Sequence, residues 1–583
     1  MPPSFAPSHT QAHPVHEWNE HATHWQQHAQ CLNLPRTNGI NQGTVCLDDH
    51  PLEVQQRTAL IWVKPTTGET LFEDERYTFS QLSQVSNQVA NALHGLGMHA
   101  GERAFIFLDR IPELYISVFG CLKHQLVTGP LFSAFGHDAI LDRLQDSEAR
   151  LVITSPSLKP RIDAIRHQLP KLAFVIVVER HEPHLTVPLD ATKGEFAYES
   201  LVHSASTSYN VPYTPPETLS IMHYTSGTTG KPKGAVHTHQ AVVSQSVTAK
   251  YVLDLEGSHD VYWCTADPGW VTGTSYGMFG PWSLGVTQVV YAGGFNPEVW
   301  YRLMQTYGVT VWYTAPTALR MLMKAGNDCV AAYPMPKLRH ICSVGEPLNP
   351  EAMVWGEHVF GKTIYDTWWQ TETGSMHIVN RPGLPVKHGS MGKPFTGVEA
   401  TVLDEQWNPL SNGSEGCLAL KPLAPSMFAT YWNNLSKYES RFKNGWYLTG
   451  DRARVDEDGY FWFIGRDDDV INTAGHLVGP FEVESALVEH PAVAEAAVIG
   501  IPDPERMEII KAFVALRQGF EESEALRQDI TRFVRQRLAA HAYPRELEIL
   551  PSLPKTRSGK IMRRLLKAKE LGQPIGDTST LED

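Results

Sequence analysis

The sequence has few cysteines and lacks the arrangements that give cysteine a structural role. Seven cysteines are scattered over 583 residues, and none of them forms a CxxC pair. Zinc sites and disulfide frameworks need closely spaced or paired cysteines, so we expect neither. A reducing compartment is the simplest location for unpaired thiols, and we therefore expect a cytoplasmic protein.

Long apolar runs and basic targeting segments are also missing. No run of eighteen apolar residues occurs, so we expect no spanning helix and no membrane partner. The N-terminus lacks the basic and apolar regions of a signal peptide, and its first arginine is Arg36, which argues against a mitochondrial transit peptide. The net charge of −14 disfavours nucleic acid as a partner.

The chain is long enough for more than one hydrophobic core. At 583 residues we expect at least two domains, and a hydrophobic content of 42% is typical of a globular protein. Composition shifts divide the chain into an N-terminal arm at residues 1–40, a large domain at residues 41–466 and a C-terminal domain at residues 467–583. The arm is rich in histidine, but the irregular spacing favours a solvated or packed segment over a metal site.

Strand-like and helix-like patterns alternate through most of the chain. Thr78 and Gln81 suit a capping box, after which Leu82, Val85 and Val89 fall on one helical face. Such alternation favours parallel sheets covered on both faces. We predict an α/β fold, with a large N-terminal domain of layered α/β subdomains that includes a small β-barrel-like part, and a small mobile α+β C-terminal domain. Strands are predicted at residues 104–108, 151–154, 174–178, 261–264, 286–291, 309–313, 338–344, 496–501 and 512–516, and helices at residues 111–122, 139–145, 482–489 and 527–539.

The most informative stretch is YTSGTTGKPKGAVHTH at residues 224–239, which follows an apolar run. Glycines and small hydroxylated residues let backbone N–H groups converge on one point, and lysines add charge for phosphate oxygens. The Walker A loop has four residues between its first glycine and Gly-Lys-Ser/Thr. Here Gly227 and Gly230 enclose two residues, and Pro232 occupies the Ser/Thr place. We predict a phosphate loop of another kind, with a solvated turn as the alternative.

Five motifs in a fixed order resemble the acyl-adenylating superfamily of acyl-CoA synthetases, luciferases and peptide-synthetase adenylation domains. The resemblance covers residues 75–570 approximately, and DTWWQTETG and CTADPGWVTGTSY are similar to the AMP-forming acetyl-CoA synthetases in particular. The five motifs are the pyrophosphate loop YTSGTTGKPKG, the adenine and magnesium motif YDTWWQTETG, the ribose motif GWYLTGD, the hinge and thiol-tunnel motif GRDDDVINTAG, and the terminal catalytic-lysine motif LPKTRSGKIMRR.

This resemblance implies a site for ATP and Mg²⁺. It implies that Asp451 accepts hydrogen bonds from the ribose hydroxyls, that Arg466 lies near ribose or phosphate, and that Thr371 contacts the α-phosphate. Glu372 would help to hold Mg²⁺, and Lys560 would stabilise charge between the carboxylate and the α-phosphate. Outside these motifs, Asp451 and Arg466 would be interpreted as a surface ion pair. The other implied ATP-binding residues are Thr225, Ser226, Gly227, Thr228, Thr229, Gly230, Lys231, Gly345, Glu346, Pro347, Asp366, Thr367, Trp368 and Gln370.

The resemblance also implies places for the acid and for coenzyme A. Trp369 would wall off a small acyl pocket, because an indole is large and rigid; ordinary core packing is the alternative. Asp468 would be the hinge, Gly475 would line the thiol tunnel without a side chain to block it, and Arg545 would contact the CoA phosphates. The other implied acyl-pocket residues are Trp270, Val271, Thr272 and Val344. A second cation site is implied at Val488, His490 and Val493.

The thiol-tunnel loop departs from the pattern of the family. Acetyl-CoA synthetases commonly have Ser-Gly-His-Arg, whereas this chain has Ala474, Gly475, His476 and Leu477. An arginine contact with phosphate is therefore lost or supplied elsewhere. The N-terminal extension is also shorter than in typical acetyl-CoA synthetases. These differences leave propionate or another short acid open as the substrate.

The resemblance predicts an AMP-forming acetate:CoA ligase. Such an enzyme converts ATP, acetate and CoA into acetyl-CoA, AMP and pyrophosphate through an acetyl-adenylate and a swing of the small domain. The alternatives are the same chemistry on propionate or a medium-chain acid and, in another class, a non-catalytic nucleotide-binding protein. The resemblance further implies a lysine acetyltransferase and deacetylase acting on Lys560, since acetylation removes its charge. The oligomeric state is left open.

Overall fold

A computed structural model of the chain describes residues 25–27, 29–30, 39–66, 71–185, 187–225, 232–473, 476–504, 506–538, 542–555, 561–573 and 575. The predicted phosphate-loop residues Ser226 to Lys231 lie outside the described residues. The same holds for Gly475, for Lys560 and for most of the histidine-rich arm. The roles predicted for these residues stay predictions.

An eight-stranded sheet forms one layer of the large N-terminal part. Strand Arg103–Phe107 lies parallel to both of its neighbours. Strand Leu219–Thr225, which leads into the predicted phosphate loop, pairs antiparallel with Lys233–Thr238. In spatial order the strands are Thr430–Tyr431, Lys233–Thr238, Leu219–Thr225, Val127–Leu131, Arg103–Phe107, Leu151–Thr154, Phe174–Val177 and Glu195–Ala197.

A nine-stranded sheet forms a second layer. Its central strands pair in parallel, whereas the pairs at its two edges are antiparallel. In spatial order the strands are Lys393–Pro394, Ile378–Val379, Ile364–Trp368, His340–Val344, Val311–Thr314, Val261–Cys264, Thr287–Tyr291, Thr58–Pro65 and Phe72–Thr78.

The two sheets share one apolar core, with helices between them. On strand Arg103–Phe107, Ala104 and Ile106 face this shared core, whereas Phe105 and Phe107 face a second core on the other side of the sheet. Strand side chains alternate between faces, so a strand buried on both faces is apolar throughout. Helices Phe79–Gly95 and Pro112–Lys123 supply the shared core with apolar side chains. The predicted layered α/β architecture is confirmed.

Two smaller sheets follow along the chain. The first is antiparallel: Ala400–Leu403, Glu415–Leu420, Trp446–Val455 and Phe442–Lys443 in spatial order, with Phe461–Arg466 paired to Trp446–Val455. The second is the sheet of the C-terminal part: His476–Val478, Ile471–Thr473, Met507–Leu516 and Val493–Asp503 in spatial order, with Glu546–Ile549 paired parallel to Met507–Leu516. The chain therefore changes sheet between residues 466 and 471, close to the predicted domain boundary.

Helices cover the outer faces of the sheets and link the strands. The predicted capping box is confirmed, because Gln81 N donates to Thr78 Oγ1 at 3.1 Å and Thr78 N donates to Gln81 Oε1 at 2.8 Å. The α-helices are Leu52–Gln55, Phe79–Gly95, Pro112–Lys123, His137–Asp146, Lys159–Ile165, Tyr198–His203, Ala241–Tyr251, Val271–Thr274, Gly280–Ser283, Pro297–Tyr307, Pro316–Ala325, Asn327–Ala331, Pro350–Phe360, Leu435–Glu439, Pro480–Val488, Glu524–Arg537 and Arg563–Glu570.

The large and the small part touch through polar side chains. Asn349, which precedes helix Pro350–Phe360, donates from Nδ2 to Ser485 Oγ on helix Pro480–Val488 at 2.9 Å. Within the ranges that the structure describes, no helix is both long and apolar enough to cross a bilayer. The six cysteines in these ranges are free thiols.

Candidate active site

The carboxyl ends of two neighbouring parallel strands carry many of the predicted nucleotide-binding residues. Strand His340–Val344 runs into residues 345–347, and strand Ile364–Trp368 runs into the turn at residues 369–374. The register places Val344 opposite Thr367, so both connections leave the same edge of the nine-stranded sheet. Ligands bind at this edge in open α/β sheets.

Asp451 links the small antiparallel sheet to this edge. Its side chain is buried and accepts hydrogen bonds at Oδ2 from Trp368 Nε1 at 3.1 Å and from Gln370 Nε2 at 3.0 Å. Arg466 faces Asp451 across a strand pair, with Nε 3.4 Å from Oδ1. The structure thus brings four of the predicted ATP-binding residues together.

Asp366 presents a buried acceptor at the same edge. Its residue is 5% exposed, and Oδ1 has no hydrogen-bond partner among the residues described. Burial raises the pKa of this carboxyl to about 8, although the N–H groups of Thr367 and Leu348 act in the opposite direction. Buried polar atoms are normally hydrogen-bonded, so an orphaned acceptor here fits a donor on a ligand, such as the amino group of adenine.

One remote segment, residues 426–431, holds Glu372 and the end of its turn in place. Its Oε1 accepts from the Tyr431 hydroxyl at 2.6 Å, and its backbone carbonyl accepts from Phe428 N at 2.8 Å. The turn ends at Gly374, where φ is +65° and a Cβ would lie 2.4 Å from the Ser426 carbonyl, so only glycine fits. Glu372 is a buried carboxylate, and a hard oxygen ligand of this kind fits Mg²⁺.

Cationic side chains collect beside these carboxylates. Burial lowers the pKa of Lys233, and the charges of Lys437 and Arg441 lower it further. The guanidinium groups of Arg441 and Arg466 approach one backbone position, Gly450, from which a Cβ would lie 3.2 Å and 3.7 Å away. Positive charge concentrated in this way attracts anions, so the region suits the phosphates of a nucleotide.

Trp369 is fixed by two tyrosines. Its Nε1 donates to the Tyr313 hydroxyl at 3.1 Å, and its ring meets the Tyr276 ring edge-on, with centroids 5.2 Å apart. Val344 belongs to the same apolar cluster, so the structure brings two of the predicted acyl-pocket residues together. Trp270 packs against Phe132, with ring centroids 6.1 Å apart. The predicted contributions of Trp270, and of Val271 and Thr272 after it, stay predictions.

Asp468, the predicted hinge, and Arg545, predicted to contact coenzyme A, are exposed. Asp468 lies 3.9 Å from Arg466, measured from Oδ1 to Nε. The Arg545 guanidinium lies 4.3 Å from the centroid of the Tyr543 ring, and its side chain faces solvent. Neither position tests the predicted role, because both roles involve a second domain orientation.

The predicted second cation site has an arginine beside it. The Val493 carbonyl accepts from Arg517 Nε at 2.9 Å, and the His490 carbonyl accepts from Val493 N at 2.9 Å. The described residues contain no cluster of three His, Cys, Asp or Glu side chains that could hold a metal ion. A cation bound by the backbone at Val488, His490 and Val493 stays a prediction, and the charge of Arg517 would oppose it.

The sequence interpretation missed three residues that shape this site. They are Tyr313, Tyr431 and Arg441, which contact Trp369, the Glu372 carboxylate and the Thr449 carbonyl. Tyr313 lies in an apolar strand, Tyr431 in a two-residue strand, and Arg441 in a loop after a short helix. None of these settings gives a sequence pattern that distinguishes the residue from ordinary core or surface.

Comparison with known proteins places this geometry in a family. The sequence profile described as "AMP-binding enzyme" matches residues 47–432, and that of the "AMP-binding enzyme C-terminal domain" matches residues 482–560. The chain is 50% identical to the acetyl-coenzyme A synthetase of Bacillus subtilis, covering 96% of each chain. It is 42% identical to that of Methanothrix thermoacetophila, covering 88% of this chain and 81% of the relative.

Solved structures agree in fold. An acyl-CoA synthetase of Brucella canis is 36% identical, with a TM-score of 0.71 and coverage of 94% of this chain and 97% of that one. An anthranilate CoA ligase in complex with anthranoyl-AMP is 30% identical, with a TM-score of 0.82 and coverage of 91% of this chain and 98% of that one.

Proposed function

The chain belongs to the AMP-binding enzyme family, and from this premise we infer that it is an AMP-forming acetate:CoA ligase. Its substrates are acetate, ATP and CoA, and its cofactor is Mg²⁺. The reaction passes through an acetyl-adenylate, which CoA then attacks to give acetyl-CoA and AMP. We place the enzyme in the cytoplasm.

One structural observation carries this proposal. The buried Asp451 is held by Trp368, the last residue of strand Ile364–Trp368, and by Gln370 in the following turn, which also carries Glu372. An ionised carboxylate can accept two hydrogen bonds from a ribose, and a carboxylate nearby can hold a metal at the phosphates. A sugar acceptor that is hydrogen-bonded to the strand end and turn carrying the metal ligand supports nucleotide activation better than a passive binding role.

The residues divide the work of the first step. We propose that Asp451 orients the ribose, that Asp366 accepts from adenine, and that Thr371 contacts the α-phosphate. When bound at Glu372, Mg²⁺ would supply charge neutralisation at the phosphates. Lys560, from the tail, would stabilise charge that develops as the carboxylate attacks the α-phosphate in line. The phosphate loop, from Thr225 to Lys231, would retain the leaving pyrophosphate.

We propose that the second step uses another orientation of the small domain. Asp468 would act as its hinge, Gly475 would line the passage for the thiol, and Arg545 would contact the nucleotide phosphates of CoA. Acetylation of Lys560 by a lysine acetyltransferase would block the first step by removing the charge that it needs. Full adenylation activity in the acetylated enzyme would rule this regulation out.

Acetate is the acid that the pocket supports best. A buried methylene contributes only about 0.8 kcal/mol, so attraction alone separates acetate from propionate weakly. Steric exclusion must supply the rest, and Trp369 is a large, rigid side chain suited to it. Propionate remains the nearest alternative substrate because the CoA loop departs from the family pattern at Leu477.

Pyrophosphate exchange against a series of carboxylic acids tests the proposal. We expect exchange to be fastest with acetate, slower with propionate and absent with octanoate, and we expect AMP as the nucleotide product when CoA is added. If the exchange rate is highest with a longer acid, that acid and not acetate is the substrate. ADP as the product would indicate a phosphorylating enzyme, and no exchange with any acid would indicate a nucleotide-binding protein.

A further inference from the structure

A chain of hydrogen bonds runs from Trp369 into the nine-stranded sheet. Trp369 Nε1 donates to the Tyr313 hydroxyl at 3.1 Å, and this hydroxyl lies 2.8 Å from Thr367 Oγ1. Thr367 Oγ1 in turn donates to the Ser343 carbonyl at 2.8 Å. An indole N–H can only donate and a carbonyl can only accept, so every proton in this chain points in the same direction. Tyr313 must therefore accept from Trp369 and donate to Thr367.

The residues that hold the half-buried indole are themselves buried. Tyr313 is 0% exposed, and Thr367 and Ser343 are also buried. Tyr276 adds a second constraint, because its ring lies edge-on to both Trp369 and Tyr313. Tyr276 is itself fixed, since its hydroxyl accepts from Met376 N at 2.8 Å. The indole is thus held in one orientation by one hydrogen bond and one aromatic contact.

We propose that Tyr313 is a positioning residue for acyl specificity, which acts by holding the indole of Trp369 in place through their hydrogen bond. The inference rests on the proposed function and names a determinant of its acid preference. A steric wall excludes a longer acid only if it cannot move aside. Without the Tyr313 hydroxyl, the indole N–H of the half-buried Trp369 loses its acceptor, and rotamers that carry the N–H to another acceptor become favourable. Those rotamers open space for an additional methylene.

The chain-length profile of Tyr313→Phe tests this proposal. We expect the ratio of kcat/KM for acetate to that for propionate to fall about 3- to 10-fold, because one methylene is discriminated only about 10- to 200-fold by a good pocket. We expect the KM for ATP to stay at the value of the parent, because the substitution removes no nucleotide contact.

Tyr301→Phe is the matched control. Tyr301 is also 0% exposed, lies in helix Pro297–Tyr307, and its hydroxyl has no partner in the described part of the chain. The substitution removes a buried hydroxyl in a different apolar cluster from that of Trp369, and we expect the acid profile of the parent. A profile changed equally by both substitutions would overturn the proposal, because it would reflect general loosening of the core.

A double-mutant cycle with Trp369→Phe separates positioning from general packing. Trp369→Phe removes the indole N–H, so the Tyr313 hydroxyl has nothing left to hold. We expect Tyr313→Phe to leave the acetate-to-propionate ratio unchanged in the Trp369→Phe background. If the two substitutions instead change the acetate-to-propionate ratio independently, so that their effects multiply in the double variant, the proposal is overturned. If Tyr313→Phe does not fold, the coupling between Tyr313 and Trp369 is judged from Trp369→Phe alone. An acid profile of Trp369→Phe equal to that of the parent would then contradict the proposal. An inactive parent enzyme would instead contradict the proposed function.

Discussion

The hydroxyl of Tyr431 donates a hydrogen bond of 2.6 Å to Oε1 of Glu372. The two residues lie on different sheets: Tyr431 is in the edge strand of the eight-stranded sheet, and Glu372 follows a strand of the nine-stranded sheet. The contact therefore connects the two layers at the proposed metal ligand. Hydrogen bonds to metal-binding carboxylates fix their orientation and tune their affinity.

We predict that Tyr431→Phe weakens the response to Mg²⁺. Loss of a hydrogen bond to a ligating side chain lowers metal affinity about 10- to 100-fold. We expect the Mg²⁺ concentration for half-maximal pyrophosphate exchange to rise about 10-fold at saturating acetate. Tyr438→Phe is the control, because Tyr438 packs on Phe428 nearby and its ring contact survives the substitution. If the Mg²⁺ titration of Tyr431→Phe equals that of the parent, Tyr431 does not position Glu372 for the metal.

We predict that Asp451→Asn weakens ATP binding selectively. The carboxylate loses its charge, and hydrogen bonds to charged groups contribute about 1.5–3 kcal/mol each, or roughly 10- to 100-fold in affinity. We expect the KM for ATP to rise within this range while the KM for acetate stays near that of the parent. Thermal unfolding should accompany the kinetics, because Asp451 also faces Arg466. Equal increases in both KM values would show a general defect rather than a ribose contact.

We predict that Lys560→Ala separates the two half-reactions. Removing the cation that stabilises the charge at the α-phosphate should slow adenylation by at least about 100-fold. Thiolysis of supplied acetyl-adenylate by CoA should continue at a rate near that of the parent. Lys569→Ala, an exposed lysine in the last turn of helix Arg563–Glu570, is the control. Adenylation in Lys560→Ala at the rate of the parent would refute the proposed mechanism.

We predict that Glu351 makes the contact between the two parts of the molecule depend on pH. Burial and the charge of Glu489 together raise the pKa of Glu351 from 4.5 to about 6, against the opposing effect of the Arg537 charge. The stability that the protonated carboxyl contributes is fully present below pH 4.5 and is lost as the pH rises through about 6. Glu351→Gln keeps a neutral side chain at every pH.

Thermal unfolding of Glu351→Gln and of the parent checks this prediction. Between pH 4.5 and pH 7, we expect the Tm of the parent to fall relative to that of Glu351→Gln, with most of the fall between pH 4.5 and pH 6. Glu357→Gln, on the same helix and paired with His388, is a control that changes a carboxylate outside this contact. Parallel curves for the parent and Glu351→Gln would show that Glu351 is not a titrating contact.

Much of the secondary structure could be predicted from the spacing of residues that are close together in the sequence. Thr78 and Gln81 form the predicted capping box because that motif needs only residues three positions apart. The apolar runs at residues 104–108 and 151–154 form paired parallel strands, because a strand covered on both faces must be apolar throughout. The predicted helix at residues 111–122 begins at Pro112 and ends at Lys123, within one residue of its predicted ends.

The site was predictable only in part. Asp451, Trp368 and Gln370 were named from motifs, and the structure joins them by hydrogen bonds. Tyr313 and Tyr431 could not be identified from motifs, because a tyrosine in a strand has the same sequence pattern as an ordinary core residue. Their roles depend on which residue lies opposite them after folding.

The sequence alone determined the α/β architecture, the order of the motifs and the residue types that can bind phosphate, ribose and metal. It did so because hydrophobic periodicity and short glycine-rich or acidic motifs act over a few neighbouring residues. The tertiary structure decided that Tyr431 holds Glu372 and that Tyr313 holds Trp369. These partners are 59 and 56 residues apart. The packing of the two large sheets brings Tyr431 to Glu372, and the strand order within the nine-stranded sheet brings Tyr313 to Trp369.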